Sequence, residues 1–310
     1  MSVRSLVRGL GKSSGYAALV MLLILVLVFV LVRVAGDPLE MMLPDSATEA
    51  DRARFAAAIG LDKPIPTRFA VYLLRLMHGD FGVSLRYGEP AMQLVLERLP
   101  ATVQLAAAAL LTSLLLGTLL GVASALKHGT WIDSSLSALA VVGKSMPSFF
   151  LGMLLIVLLA VHWELFPVSG GGSAWHLVLP ALALGSSLAA QNARLIRGGL
   201  IATLSQDYVR AARARGLDER AVVLRYALGN ALLPLFTVTM LQIPQLMGGV
   251  LVIEALFAWP GMGQLTVAAL GARDMPLVQA SVVFLSAIVV FTNVLTDLLY
   301  RFLDPRIRAG

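Results

Sequence analysis

Residue types that could do chemistry are thinly spread in this chain, and none has the spacing of a catalytic centre. Cysteine is absent and the four histidines are scattered, which excludes disulfide frameworks, thiolate metal sites and a cysteine nucleophile. No paired carboxylates, Ser/His/Asp grouping or metal-ligand spacing emerges. Gly11-Lys12-Ser13 looks like the end of a phosphate-binding G-x-x-x-x-G-K-[ST] loop. The first glycine's position is Leu6, however, and no predicted strand precedes the segment. Lys12 therefore reads as a charge that orients the chain in a membrane.

What remains is charge where charge is costly. Lys144 lies inside a long apolar stretch, where an ammonium costs about 2.5–3.5 kcal/mol on insertion scales. Facing a wet pathway, it would present a cation to a carboxylate-bearing solute; facing lipid, it would have to snorkel. Pro147 and Pro244 interrupt the backbone ladders of apolar helices, which membranes tolerate where neighbours or cavity water satisfy the freed carbonyls. Lys144, Pro147 and Pro244 are thus candidates for a translocation path. Asp297 and Arg301 stand four apart and can pair on one helix face. Gly117 and Gly121 put small residues on one face of a helix, where another backbone can approach closely.

A second candidate is the segment Asp207-Tyr208-Val209-Arg210-Ala211-Ala212-Arg213-Ala214-Arg215-Gly216-Leu217. Its alanines favour a short helix, Gly216 favours ending it, and its arginines oppose burial in lipid. A small-residue helix ending in a glycine turn would suit docking into a partner's groove. A merely basic surface loop fits the same residues.

The elements that hold these residues are membrane helices. Of 310 residues, 58% are hydrophobic and 14% charged, with a mean hydropathy of +0.83; soluble domains carry roughly 25% charge. The pI near 10.0 comes from basic residues gathered in particular loops, which argues for topology rather than nucleic acid. Apolar stretches at Tyr16–Val32, Ala101–Leu126, Ser135–Val161, Leu177–Ile196, Leu232–Leu256 and Leu277–Leu299 can each span roughly 30 Å of hydrocarbon. The expected fold is all-α, with about six transmembrane helices. Residues 1–14 are a tail, 15–35 the first span, 36–100 a polar region with short helices near 47–59 and 67–77, and 101–310 a five-helix core.

Loop charge orients the whole. Lys127, His128, Arg210, Arg213, Arg215, Arg220, Arg225, Arg301, Arg306 and Arg308 fall on one side together with the basic tail, while Glu164, Glu254, Arg273 and Asp274 fall in or near the opposite loops. By the positive-inside rule both termini are cytoplasmic and 36–100 faces outward.

An ordered series of motifs sharpens this. "IGLDKPIPTRF" at 59–69, "HGDFGVSLRYGEP" at 78–90, "ERLPATVQLA" at 97–106, "SMPSFFLGMLLI", "FPVSG", "LPALALG", "DYVRAARARGL", "ALGNALLPL", "FAWPGMGQL" and "LLYRFLDPRIR" resemble the first permease subunit of the dipeptide/oligopeptide ATP-binding cassette importers, a family that includes nickel, glutathione and some oligosaccharide systems. The resemblance covers nearly the whole chain. It implies a type I importer permease in a bacterial inner membrane that forms half a translocation path for di- or oligopeptides, and it is no enzyme itself. The alternative is the same architecture importing nickel, glutathione or an oligosaccharide. A stand-alone secondary transporter would need an inverted repeat or a coupling-ion site, and neither is evident. The implied partners are a second homologous permease, two cytoplasmic ATPases that bind ATP and Mg, and an extracytoplasmic solute-binding protein; no cofactor is expected on this chain. The family's EAA-type coupling motif falls on Arg210-Ala211-Ala212 with Gly216 and Pro234, so the coupling segment, within a loop of about 198–229, comprises Asp207, Tyr208, Arg210, Ala211, Ala212, Arg215, Gly216, Leu217 and Pro234.

Overall fold

The computed structural model of the chain describes residues 3–34, 48–49, 54 and 63–303. Its elements are helical: α1 (Val3–Val34), α2 (Ile65–Met77), α3 (Ala91–Leu126), α4 (Trp131–Ser145), α5 (Ser148–Leu155, continued by the π-helical Ile156–His162), α6 (Trp175–Leu204), α7 (Asp207–Ala214), α8 (Leu228–Leu256), α9 (Met262–Gly271) and α10 (Met275–Leu303). A single helical turn, Glu219–Ala221, and a π segment, Val222–Ala227, lead into α8. Among the described residues, β pairing is limited to one antiparallel bridge, Val83–Pro90. The predicted short helix near 67–77 forms as α2; the one near 47–59 lies outside the described residues.

By length and composition α3, Pro234–Leu256 of α8 and Met275–Leu298 of α10 can cross a membrane, and a fourth span results if α4 and α5 with its π extension count as one. The count of about six read from hydropathy is therefore approximate. Gly15–Leu31 of α1 is a shorter apolar segment. Helix α6 is long, and thirteen of its residues are buried in protein. The stretch 135–161 is not one continuous helix. Met146 takes the extended conformation imposed on a residue before proline, and α4 and α5 meet at 109° around Pro147.

The chain divides into two compact units, residues 1–98 with 265–291, and residues 99–264 with 292–310. In the first, Phe29 of α1 lies 5.1 Å from Phe69 and 5.5 Å from Tyr72 of α2, ring centre to ring centre. Asp274, which the sequence suggests is a loop charge, is fully buried there. Its carboxylate accepts the Ser84 hydroxyl, the Arg86 amide at 3.2 Å and the Leu277 amide at 3.3 Å, closing the 83–90 turn against the first turn of α10.

In the second unit α6 is central, packed by α4, α5 and α8. Gly117 and Gly121 of α3 explain how α3 comes so close. A Cβ at Gly117 would stand 2.6 Å from Cβ of Asn192, and one at Gly121 2.7 Å from the Ala193 carbonyl oxygen. From the α6 side, a Cβ at Gly185 would meet the Ala109 carbonyl oxygen at 2.5 Å. The apolar core between them joins Leu105, Ala109, Leu184, Leu188, Leu246, Val250 and Ile253.

Candidate coupling segment and translocation face

The segment 207–217 folds as the amphipathic α7, and its two faces have different partners. Val209 and Ala212 turn inward and are buried with Val222, against Leu204. Asp207, Tyr208, Arg210, Ala211, Arg215, Gly216 and Leu217 remain exposed. The sequence reading treated Ala211 and Ala212 alike. The structure separates them: Ala212 is a seat for α7 on its own chain, and Ala211 belongs to the free face. Gly216 has φ of +79° with nothing within 4 Å of a built Cβ, so glycine is required by the backbone rather than by crowding. Pro234 is exposed on α8, beyond the π segment.

Polar contacts attach this segment to α8. The Tyr208 hydroxyl donates to the Tyr226 carbonyl at 3.3 Å and accepts from the Asn230 amide at 2.8 Å. Arg213 makes a two-pronged contact with Glu219, at 3.0 and 2.7 Å, across the turn that Asp218 caps. That guanidinium holds the Glu219 carboxyl below the usual carboxylate range. Arg210 lies 3.5 Å from the fully exposed Asp207, a pairing of little energetic weight. The helix α6 ends at Leu204, α7 follows after two residues, and the next helical turn begins at Glu219.

The three candidate pathway residues occupy different settings. Lys144 is exposed in the last turn of α4, not deep within an unbroken helix, and its Nζ lies 3.5 Å from Oε1 of Gln191 on α6. Pro147 is exposed at the break itself. Pro244 is half-buried within α8; it lacks the N–H that the Met240 carbonyl would receive, and the buried Thr296 hydroxyl donates to that carbonyl at 3.2 Å. Pro244 is thus satisfied by a neighbouring helix. Arg301, expected to pair with Asp297, has its side chain outside the described residues.

Three features escaped the sequence reading. Asp133 at the start of α4 is buried, accepts both Nε and Nη2 of Arg197 at 2.7 and 2.8 Å, and also accepts Ser124 Oγ at 2.6 Å and the Gly129 amide at 3.1 Å. Asn192 and Gln242 exchange amide hydrogen bonds of 2.8 and 3.4 Å between α6 and α8, both fully enclosed. Glu254, counted as a loop charge, is buried in α8 and accepts the Gly263 amide at 2.6 Å. The spacing of Gly261 and Gly263 was the available signal, because a Cβ at either position would collide with that carboxylate. Among the described residues no group of three or more His, Asp or Glu could hold a metal ion.

Long apolar helices packed through glycine, with one amphipathic helix hung between two of them, make the architecture of a membrane-embedded permease. Residues 117–309 match the family of binding-protein-dependent transport system inner membrane components, and the chain belongs to it. It is 36% identical over 307 residues to the dipeptide transport system permease protein DppB of Escherichia coli (strain K12), covering 89% of this chain and 91% of that protein. It is 35% identical over 283 residues to the oligopeptide transport system permease protein AppB of Bacillus subtilis (strain 168), covering 88% and 90%. Among solved structures, the inward-facing MetNI methionine ABC transporter superposes with a TM-score of 0.54 at 19% identity, covering 69% of this chain and 97% of that one, a likeness of fold. The chain is accordingly a multi-pass inner-membrane permease of a binding-protein-dependent import system.

Proposed function

We propose that this chain is one of two homologous permeases in an ATP-driven importer of di- or oligopeptides, and that it carries half of the solute path. ATP and Mg belong to two cytoplasmic ATPases, and an extracytoplasmic binding protein delivers the solute. The observation that carries the reading is α7: a helix whose apolar edge is locked into its own chain through Val209 and Ala212 while Asp207, Arg210, Ala211 and Arg215 stand free. Motion imposed on that free edge passes to α6 through the short 205–206 link and to α8 through Tyr208 and Asn230. Transport is then an equilibrium between two states, biased by contacts that differ between them. Peptide solutes are supported by the dipeptide and oligopeptide permeases that the chain resembles. Lys144, Pro147 and Pro244 remain the proposed path residues, and both termini are proposed to be cytoplasmic on loop charge.

Reconstitution in liposomes with the second permease, the ATPases and the binding protein tests this directly. ATP-dependent accumulation of a labelled dipeptide is the expected result; flux that persists without the ATPases would replace the reading by a secondary transporter. The absence of cysteine makes orientation equally accessible. In intact spheroplasts an impermeant maleimide should label Ser173→Cys and spare Ser205→Cys, both exposed positions, and the reverse pattern would invert the topology.

A further inference from the structure

The exposed surface of α6 differs in kind from that of its neighbour α3. On α3 the outward residues are Leu111, Leu115 and Leu119, each at least 60% exposed and one turn apart, as a face toward hydrocarbon requires. On α6 the residues at the same helical spacing are Ser187, Gln191, Arg194 and Gly198, with Ser187 and Gln191 half-buried and Arg194 and Gly198 exposed. Lys144 of α4 joins this stripe through its 3.5 Å contact with Gln191.

Charge along the stripe is unevenly compensated. Arg197, one turn beyond Arg194, is neutralised by the buried Asp133 carboxylate. Arg194 and Lys144 have no carboxylate within ion-pairing distance among the described residues. Lys144, in contact with Gln191, and Arg194, three residues further along that face, thus set two cations without a carboxylate partner on one side of α6, one helical turn from an arginine that has its own. Gln191 lies three residues from Arg194, and side chains at that spacing share a helix face. Such a face is unfavourable against lipid tails and well suited to a wet passage.

We infer that Lys144, Gln191 and Arg194 form a carboxylate-recognising subsite of the translocation path, receiving the C-terminal carboxylate of a peptide solute. This rests on the importer reading above and assigns Gln191 and Arg194 to the path. The Arg194 guanidinium supplies the planar fork that pairs with a carboxylate, Lys144 the mobile second charge, and the Gln191 side-chain amide a neutral donor between them. The occupant is the solute rather than a lipid headgroup, because the polar positions run along the helix as a track instead of gathering in one ring at its end.

The test uses the complete reconstituted importer with a labelled dipeptide and the same dipeptide carrying a C-terminal amide. The binding protein is the same for every variant, so its share of any discrimination cancels when the acid-to-amide ratio of kcat/KM is compared with the wild type. In Lys144→Met/Arg194→Met that ratio should fall about ten- to a hundredfold, as expected for lost hydrogen bonds to a charged group, while Lys144→Arg should retain it. An unchanged ratio overturns the inference. So does a defect in the double variant that varies with the anionic lipid content of the liposomes at a constant ratio, which would identify a headgroup as the occupant. Should the double variant fail to insert, Arg194→Cys alone should react with a water-soluble methanethiosulfonate and be protected by saturating dipeptide during turnover; lack of reaction, or reaction without protection, overturns it too. If wild-type liposomes show no ATP-dependent uptake, it is the importer reading that fails.

Discussion

At the scale of single residues, the polar groups that matter most are enclosed ones. Asp133 is surrounded by donors from three segments, Ser124 of α3, Gly129 of the following turn and Arg197 of α6. Removing only the cation strands a buried carboxylate, whereas removing both partners does not. Arg197→Leu should therefore lower the thermal midpoint of the detergent-solubilised protein more than Arg197→Leu combined with Asp133→Leu, as read by a double-mutant cycle in a fluorescence melt. Additivity of the two single changes would mean that the pair is not coupled. Glu254 plays a related part at the end of α8. Its carboxylate accepts from the first turn of α9; Gly261 is glycine because the carboxylate occupies the space a side chain would need, and Gly263 because the Leu251 backbone comes within 2.5 Å of a Cβ there, with the carboxylate beyond it.

At the scale of elements, two contacts govern how α6 works. Against α3 the approach is set by glycine. Gly117→Val places new methyls where Asn192 already stands, and such overpacking costs about 1–3 kcal/mol; the melt should shift downward by a corresponding amount, with a smaller shift for the open Gly198→Val. Below α6, the two alanines of α7 provide a sharper discrimination. Ala212→Trp should impair folding and yield, because it must displace Val209 and Val222. Ala211→Trp should leave yield intact and lower solute-stimulated ATP hydrolysis together with uptake. Gly216→Val should do the same through its backbone, since a β-branched residue disfavours φ of +79°. Full stimulation in both Ala211→Trp and Gly216→Val, with ATPases still bound, would mean that energy passes through another surface. The Arg213–Glu219 contact beneath the turn is present above the ordinary glutamate range and is lost as pH falls through the depressed Glu219 value, so any coupling contribution from it should decline only on strong acidification. Its exposure keeps that contribution small.

At the scale of the whole molecule, the proposed import function asks that movement at α7 reach the helices it is attached to. Helix α7 presents an exposed edge, α6 and α8 are clamped by the enclosed Asn192–Gln242 amide pair, and the proposed movement and carboxylate subsite both fall on α6. Replacing Gln242 by Leu should disturb that clamp, leaving Asn192 unsatisfied in the interior at a cost of about 1–3 kcal/mol, visible as a lower melting midpoint in the solubilised protein.

Residue order alone is enough to read an all-helical membrane protein of the permease family, a short helix ended by glycine within 207–217, and close packing at Gly117 and Gly121. These are legible because hydropathy, positive φ and small-residue spacing are local properties that survive in any context. Tertiary structure alone decided the rest. Hydropathy gives the extent of α6 but cannot see that thirteen of its residues are covered by neighbouring helices. It joined α4 to α5 because apolar composition continues across Pro147, where the backbone turns by 109°. Loop-charge counting places Glu254 and Asp274 in or near a loop but cannot show that both are buried, since a carboxylate's cost depends on whether amides and hydroxyls from distant parts of the chain enclose it. The division of Ala211 from Ala212, and the meeting of Lys144 with Gln191, have the same origin: periodicity places residues on faces, and only packing decides which face is covered.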